Sequence, residues 1–303
     1  MVTKAQKKKE ISQLKPGTTG YELRSVSQYL DELDRAGVNL TSSRDWFREF
    51  DFLPRFPKSC NPLSFLSVMD QKRQGACAGF GTAQAGEGCF WQASGGAVQR
   101  FSGSAHYYLA QERDGFLGRD VGSMPGSHAW IVQNVGMFPK NACPPDPEDY
   151  SGRFEITDEM KEAAGAYKLK GVVHLESPKS LFDWLQQGQG YATLASTWPA
   201  HFDQGGSSPI TSFHGPKRND RHGGGHMYAI MGWYKHPQLG LCAVLVNSWN
   251  VYWGDEGAKL ITLRALQEMF QHRFTVCIGM SDMDLQGREA RTIDVESVIG
   301  KLF

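Results

Sequence analysis

The sequence predicts an α+β protein with a helical half followed by a mainly antiparallel sheet half. Three observations point there. Helical patterns crowd into the stretch before residue 145: an Ala/Gly/Phe-rich run from Cys77 to Ala93, SAHYYLAQ from Ser104 to Gln111, and Pro125 to Val135 with Ala129, Ile131 and Val132 among its apolar positions. Strand patterns crowd into the second half, at 169–175, 190–196, 226–233, 241–247, 258–263 and 274–280. Between the halves lies CPPDPEDY, Cys143 to Tyr150, a rigid connector read as the crossover between two lobes.

Taken in order, residues 1–20 are lysine-rich, end in PGTTG and read as an arm. Tyr21 to Ala36 reads as a short helix, with Leu23, Val26, Leu30 and Leu33 on one stripe and Gly37 at its end. Asp45 to Pro57 is aromatic and proline-broken, and is expected to wrap the body as a strap. The helix from Cys77 is followed by a glycine-rich turn, SGGAVQRFSG, and later by a glycine-punctuated loop from Gly115 to Gly126. Gly136 and Pro139 close the helix that Pro125 opens. Thr157 to Tyr167 reads as a helix, and Ser177–Pro178 opens another that runs to Gln187, the proline sitting in the first turn. Trp198 to Gly225 is a long loop rich in Gly, Ser, Pro and His, for which two readings stand: a flap over a cleft, or a surface insertion. A short helix at 263–270 precedes the last strand, and a polar tail is expected from 281. The domains are drawn as an extension at 1–50, a body at 51–285 with its halves at about 60–145 and 146–285, and a tail at 286–303. No internal repeat is evident.

Composition bounds the function. The chain has 303 residues, 40% hydrophobic, enough for two closely packed lobes. It carries 32 basic and 32 acidic side chains, a balance that argues against nucleic-acid binding, which favours a basic surface. No run reaches the length of a membrane span. MVTKAQKKKE has no apolar stretch after its lysines and does not read as a signal peptide, so a cytoplasmic location is expected. The six cysteines, at 60, 77, 89, 143, 242 and 277, form no CxxC pair. Cys89, Cys242 and Cys277 read as small buried residues, and a Cys60–Cys143 bridge stays open. His201, His214, His222 and His226 come without HExxH or paired cysteines, so no metal and no cofactor are expected. His201 and His214 are expected at the surface.

The chemistry concentrates in DQKRQGACAGF, Asp70 to Phe80. Gln71 stands six residues before Cys77, and Gly75 and Ala76 are expected to leave the cysteine sterically open. A cysteine at a helix N-terminus has its thiolate stabilised by the helix end and its unpaired N–H groups. Such a thiolate attacks a carbonyl when a histidine is held beside it. HMYAIMGWY from His226 and NSWNVYWGDEG from Asn247 offer that histidine and a carboxamide to orient it, with His222 as the reserve base.

On these residues the chain resembles the papain-like cysteine peptidases, over roughly residues 60–285. DQ…C and NSWxxxWGxxG carry the resemblance, and the order Cys, His, Asn agrees with it. It implies a papain-like two-lobe fold: a helical N-terminal lobe, a C-terminal antiparallel sheet or barrel, and the active-site cleft between them. It implies Cys77 as nucleophile, His226 as general base, Asn247 as the residue that fixes the imidazole and Gln71 as oxyanion donor. Trp249 would shield the Asn–His bond, and Trp253 and Gly254 would hold the loop around it. Ser123, Met124, Pro125 and Gly126 would line the cleft, and Gly225 would stand near the pocket for the second residue before the cut, favouring an apolar or small side chain there. Many secreted members carry an extra cysteine three residues before the nucleophile. Here that position is Gln74, which fits a reducing compartment. Residues 1–50 are then either a short pro-segment or a packing extension. The expected activity is an endopeptidase acting on a protein or peptide, as a monomer, with no nucleic-acid or membrane partner. Two alternatives use the same residues: another acyl transfer, such as transamidation, deamidation or ligation, and a non-catalytic binding or structural descendant.

Overall fold

The central helix is buried on every side, and the rest of the chain is assembled around it. The computed structural model describes residues 41–42, 68–203, 206–214 and 224–284. The expected arm, the helix at 21–36, the strap at 45–57, Cys60, His222 and the tail beyond 284 lie outside the described residues, as does much of the loop before His226.

Strand β1 is Thr41–Ser42. Helix α1 spans Cys77–Ala93, and its first fourteen residues are all buried. A helix covered all round shows no amphipathic stripe, so composition rather than periodicity marks it in the sequence. Two of its glycines permit the close packing. A Cβ on Gly79 would lie 2.3 Å from the Gly103 carbonyl oxygen, where helix α2, Gly103–Asp114, crosses it. A Cβ on Gly81 would lie 3.3 Å from the Tyr228 backbone, where the sheet crosses it.

The remaining helices begin with the capping chemistry of their sequences. Ser102 caps α2, which ends at Gly115 with φ at 72°. Helix α3, Pro125–Asn134, has proline in its first turn. Thr157 caps α4, Asp158–Gly165, and places Asp158 and Glu159 in its first turn. Strand β2 is Lys168–His174. Ser177 and Ser180 form a capping box on α5, Pro178–Gln186. Strands β3 (Gly190–Thr197), β4 (Gly225–His236), β5 (Gly240–Val246) and β6 (Ala258–Thr262) follow. Helix α6, Leu263–Phe270, is capped by Thr262, and β7 runs Val276–Asp284.

Among the described residues the strands form one seven-stranded sheet in the order β1-β2-β7-β3-β4-β5-β6. Every pairing is antiparallel except β1 with β2. The end strands β1 and β6 do not pair with each other, so the sheet stays open; the barrel alternative is not formed. The sheet is covered on both faces. Met227, Ala229 and Met231 of β4 turn toward the α1 cluster, while Tyr228 and Ile230 turn toward the cluster holding Trp184 of α5 and Leu266 of α6. That is the period-two alternation of a strand, hidden in the sequence because both faces are apolar.

Boundaries shift where pairing outlasts the apolar run. Strand β7 continues to Asp284, which registers with Lys168, so the tail expected from 281 starts later. Helix α2 extends past Gln111 to Asp114, the first residue before a glycine free to take the left-handed turn. Cys143 carries a free thiol, so no Cys60–Cys143 bridge forms.

Candidate active site

Cys77 is the first residue of α1, and His226 is the second residue of β4. The contact between Gly81 and the Tyr228 backbone sets their relation. Further along, a Cβ on Gly88 would meet the Met231 side chain, so helix and strand advance in the same direction. Stepping back four helical residues, about 6 Å, reaches Cys77. Stepping back two strand residues, about 6.6 Å, reaches His226. The N-terminus of α1 and the start of β4 thus lie in the same neighbourhood.

Asn247 follows directly on β5, held by its backbone N–H to the Gly257 carbonyl at 2.9 Å. Its Oδ1 lies 2.8 Å from His226 Nε2 and also accepts the Ser248 backbone N–H at 2.8 Å. A carbonyl oxygen only accepts, so the neutral ring carries its proton on Nε2. Nδ1 is then the basic nitrogen, and it is buried with no hydrogen-bond partner. Burial pushes the imidazole down to about 4, the Asn247 hydrogen bond working against that shift. The resting ring is therefore neutral, and a nearby thiolate would be needed to draw it into an ion pair.

Gln71 is fully buried and is tied to the Asn247 segment at two points. Its backbone N–H reaches the Ser248 carbonyl at 2.8 Å, and Ser248 Oγ donates to Gln71 Oε1 at 2.6 Å. The Gln71 amide nitrogen donates to the Gln74 carbonyl at 2.8 Å. Asp70 bridges to Trp249 and accepts from Asn250 Nδ2 at 3.0 Å. The oxyanion candidate and the imidazole-orienting residue are thus bolted together through Ser248, although they are far apart in sequence.

Aromatic rings enclose the imidazole. Trp249 lies against it at 4.8 Å between centroids, tilted by 35°, and Trp198 meets it edge-on at 4.6 Å. Trp249 thus touches the ring it is expected to shield; Trp198 and Ser248 are additions from the structure. The signal for Ser248 is a hydroxyl placed between Asn247 and Trp249 in the NSW run. Trp198 opens a loop and has no spacing relation to His226.

The expectation that Gly75 and Ala76 leave the thiol open is not met, since Cys77 and His226 have no exposed surface. Gly75 instead serves a close approach: its N–H donates to Asp120 Oδ1 at 2.8 Å, and a Cβ there would sit 3.3 Å from the Gly122 nitrogen. That contact brings the Ser123–Gly126 segment beside the loop that leads into Cys77. Ser123 itself is buried, its hydroxyl 2.7 Å from His128 Nε2, so its side chain does not face a groove. Met124 is half-buried, with its N–H on Asp114 at 2.7 Å, and Pro125 and Gly126 are buried in the first turn of α3. Gly225 is buried opposite Thr197. His201 is half-buried rather than exposed, bonded to the Ser212 carbonyl, and packs on His214 at 5.6 Å. The other described cysteines are poor nucleophiles. Burial raises Cys143 and Cys242 to about 11 and Cys89 to about 12, and Cys277 rises as well.

A helix-terminal cysteine, a buried Nε2-protonated histidine and an asparagine that fixes it, set between a helical lobe and an open antiparallel sheet, define a thiol-dependent acyl-transfer enzyme. The model of the papain family cysteine protease matches residues 57–269, and the chain belongs to that family: it is a papain-like cysteine peptidase, acting on protein or peptide substrates. Solved structures share its fold at low identity. Xylellain, a cysteine protease from Xylella fastidiosa, is 18% identical with a TM-score of 0.61, covering 75% of this chain and 87% of its own. A proCathepsin B from Trypanosoma congolense is 17% identical at 0.61, covering 93% and 89%. The bromelain protease from Ananas comosus, in complex with the E64 inhibitor, is 16% identical at 0.56, covering 75% and 99%. No curated protein matches the sequence.

Proposed function

We propose that the chain is an endopeptidase in which Cys77, His226, Asn247 and Gln71 hold the four roles of the reaction. The observation that carries this is the 2.8 Å His226–Asn247 pair, which fixes Nδ1 as the basic nitrogen in the neighbourhood of a helix-terminal thiol. Nδ1 takes the Cys77 proton, and the thiolate attacks the scissile carbonyl. Gln71 and the Cys77 backbone N–H receive the developing oxyanion. The C–N bond breaks as the imidazolium gives its proton to the leaving amine, leaving a thioester. Water, deprotonated by His226, then releases the acid and the free thiol.

Ser123–Gly126 would serve substrate through backbone, since Ser123 turns its hydroxyl inward, and Gly225 would border the specificity pocket. Because neither Cys77 nor His226 has exposed surface, the groove must open before a peptide reaches the sulfur. The thiols at Cys89, Cys143, Cys242 and Cys277 support action in a reducing compartment, and the charge balance supports a protein rather than a nucleic-acid target. Among the described residues no helix is long and apolar enough to cross a membrane.

The test is a peptide-library digest with the full chain beside Cys77→Ala, and labelling by an irreversible thiol electrophile. Hydrolysis and labelling confined to Cys77, both lost in the alanine variant, are expected. Labelling without turnover, or amide exchange in place of hydrolysis when an amine is added, would overturn the endopeptidase reading.

A further inference from the structure

We propose that Asp203 is a positioning residue for the His226 imidazole, acting through the indoles of Trp198 and Trp253; the proposal rests on the peptidase reading above. The imidazole is in contact with two indoles, Trp198 edge-on and Trp249 tilted by 35°. Trp249 has no hydrogen bond on its Nε1, so packing alone holds it. Its neighbours are Trp198 at 5.4 Å and Trp253 at 6.2 Å, and these two rings lie 5.9 Å apart. Both donate their Nε1–H to one carboxylate. Trp198 reaches the two Asp203 oxygens at 3.1 and 3.2 Å, and Trp253 reaches Oδ1 at 3.3 Å.

A hydrophobic wall needs no such anchor. Three aromatic rings in contact would pack with or without it, and they would slide against one another. Two hydrogen bonds to an ionised acceptor are stronger than neutral ones and fix the plane of each donor ring. The carboxylate therefore sets the tilt of Trp198, and Trp198 limits how far the imidazole can swing while its proton moves between sulfur and the leaving amine. Lys259 supplies the balancing charge. Its Nζ sits 5.0 Å over the Trp253 ring, donates to the Phe202 carbonyl at 2.5 Å, and interacts with Asp203.

The experiment compares the full chain with Asp203→Ala, Asp203→Asn and Trp198→Phe. It reads kcat and KM separately, the pH profile of kcat/KM, and the His226 NMR titration in a Cys77→Ala background. Asp203→Ala is expected to lower kcat about 10- to 100-fold, because a small misplacement of a catalytic group carries that cost, with KM within about 2-fold. It should also displace the His226 titration and the limb of the pH profile that reports it. Asp203→Asn should recover to within about 3-fold of the parent, since its amide oxygen accepts both indole N–H groups. Trp198→Phe keeps a ring and loses the donor, and should move both readouts in the direction of Asp203→Ala; it decides the matter if Asp203→Ala does not fold. Unchanged kcat and His226 titration in Asp203→Ala, or an Asp203→Asn as impaired as the alanine variant, would overturn the proposal. If the parent hydrolyses nothing, the peptidase reading fails while the His226 titration still decides whether Asp203 sets the ring.

Discussion

Ser248 shows how the residues of this site depend on one another. Its backbone N–H orients the Asn247 oxygen and its hydroxyl orients the Gln71 carboxamide. Ser248→Ala keeps the backbone contacts and removes only the hydroxyl bond, leaving Gln71 Oε1 buried without that donor. It should lower kcat about 10-fold with little change in KM, as expected when an interaction made in the transition state is loosened. Gln71→Ala removes the amide itself, and should cost about 10²–10³ in kcat, roughly 3 kcal/mol of barrier. Steady-state kinetics on a fluorogenic peptide checks both; a Ser248→Ala as damaged as Gln71→Ala would mean that the hydroxyl does more than orient. Gln71, Cys77, His226 and Asn247 are candidates that the sequence names through the DQ…C and NSWxxxWGxxG motifs and the Cys, His, Asn order on which it resembles the papain-like peptidases. Ser248 lies in the same motif, yet its role is hidden in the sequence because its partner lies 177 residues away.

At the scale of the element, α1 positions the nucleophile only because it can press against both α2 and β4. Gly79→Ala places a methyl 2.3 Å from a backbone oxygen that cannot move without moving the start of α2. A loss of about 1–3 kcal/mol is expected from such overpacking, measured by urea denaturation. Gly81→Ala meets backbone at 3.3 Å and should cost less stability, while displacing the helix from His226 and so reducing activity more than stability. If both alanines lost stability and activity in proportion, the helix would be a spacer rather than a positioning device. The helix range Cys77–Ala93 was readable from its Ala/Gly run. The continuation of β7 to Asp284 was not, because ladder hydrogen bonds extend through polar residues as readily as through apolar ones.

The whole molecule carries a pH dependence set by buried histidines. Burial lowers His106 to about 3 and His226 to about 4, and drives His128 well down with help from His106. In the unfolded chain these rings protonate near 6.5, while the folded chain resists protonation until far lower pH. The unfolded state therefore binds more protons as pH falls from about 6.5 toward 4, and folding stability falls with it, by about 1.4 kcal/mol per pH unit for each such ring. Glu87 works in the opposite sense. Burial raises its carboxyl to about 7 despite Arg100, so it favours the fold below about 4.5 and loses that contribution as pH rises through 7. Burial lowers His174 and His272 as well, so the rings outweigh the one raised carboxyl among the described residues, and the net expectation is acid lability. Urea titrations from pH 7 to 4 should show it, and His106→Gln should flatten the slope by removing one titrating ring; a slope unaffected by that change would assign the lability elsewhere.

By itself the sequence determined the class of chemistry and the order of the lobes, and it named four candidates for nucleophile, base, orienting amide and oxyanion donor, because the short motifs that carry the family resemblance are made of residue types that serve few other purposes. Only the tertiary structure decided that the sheet stays open, that the thiol is covered, that Ser123 turns inward to His128, and that Trp198 and Asp203 surround the imidazole. Those outcomes are set by which surfaces meet across long stretches of chain, and nothing in the neighbourhood of one residue along the sequence encodes what will be pressed against it in space.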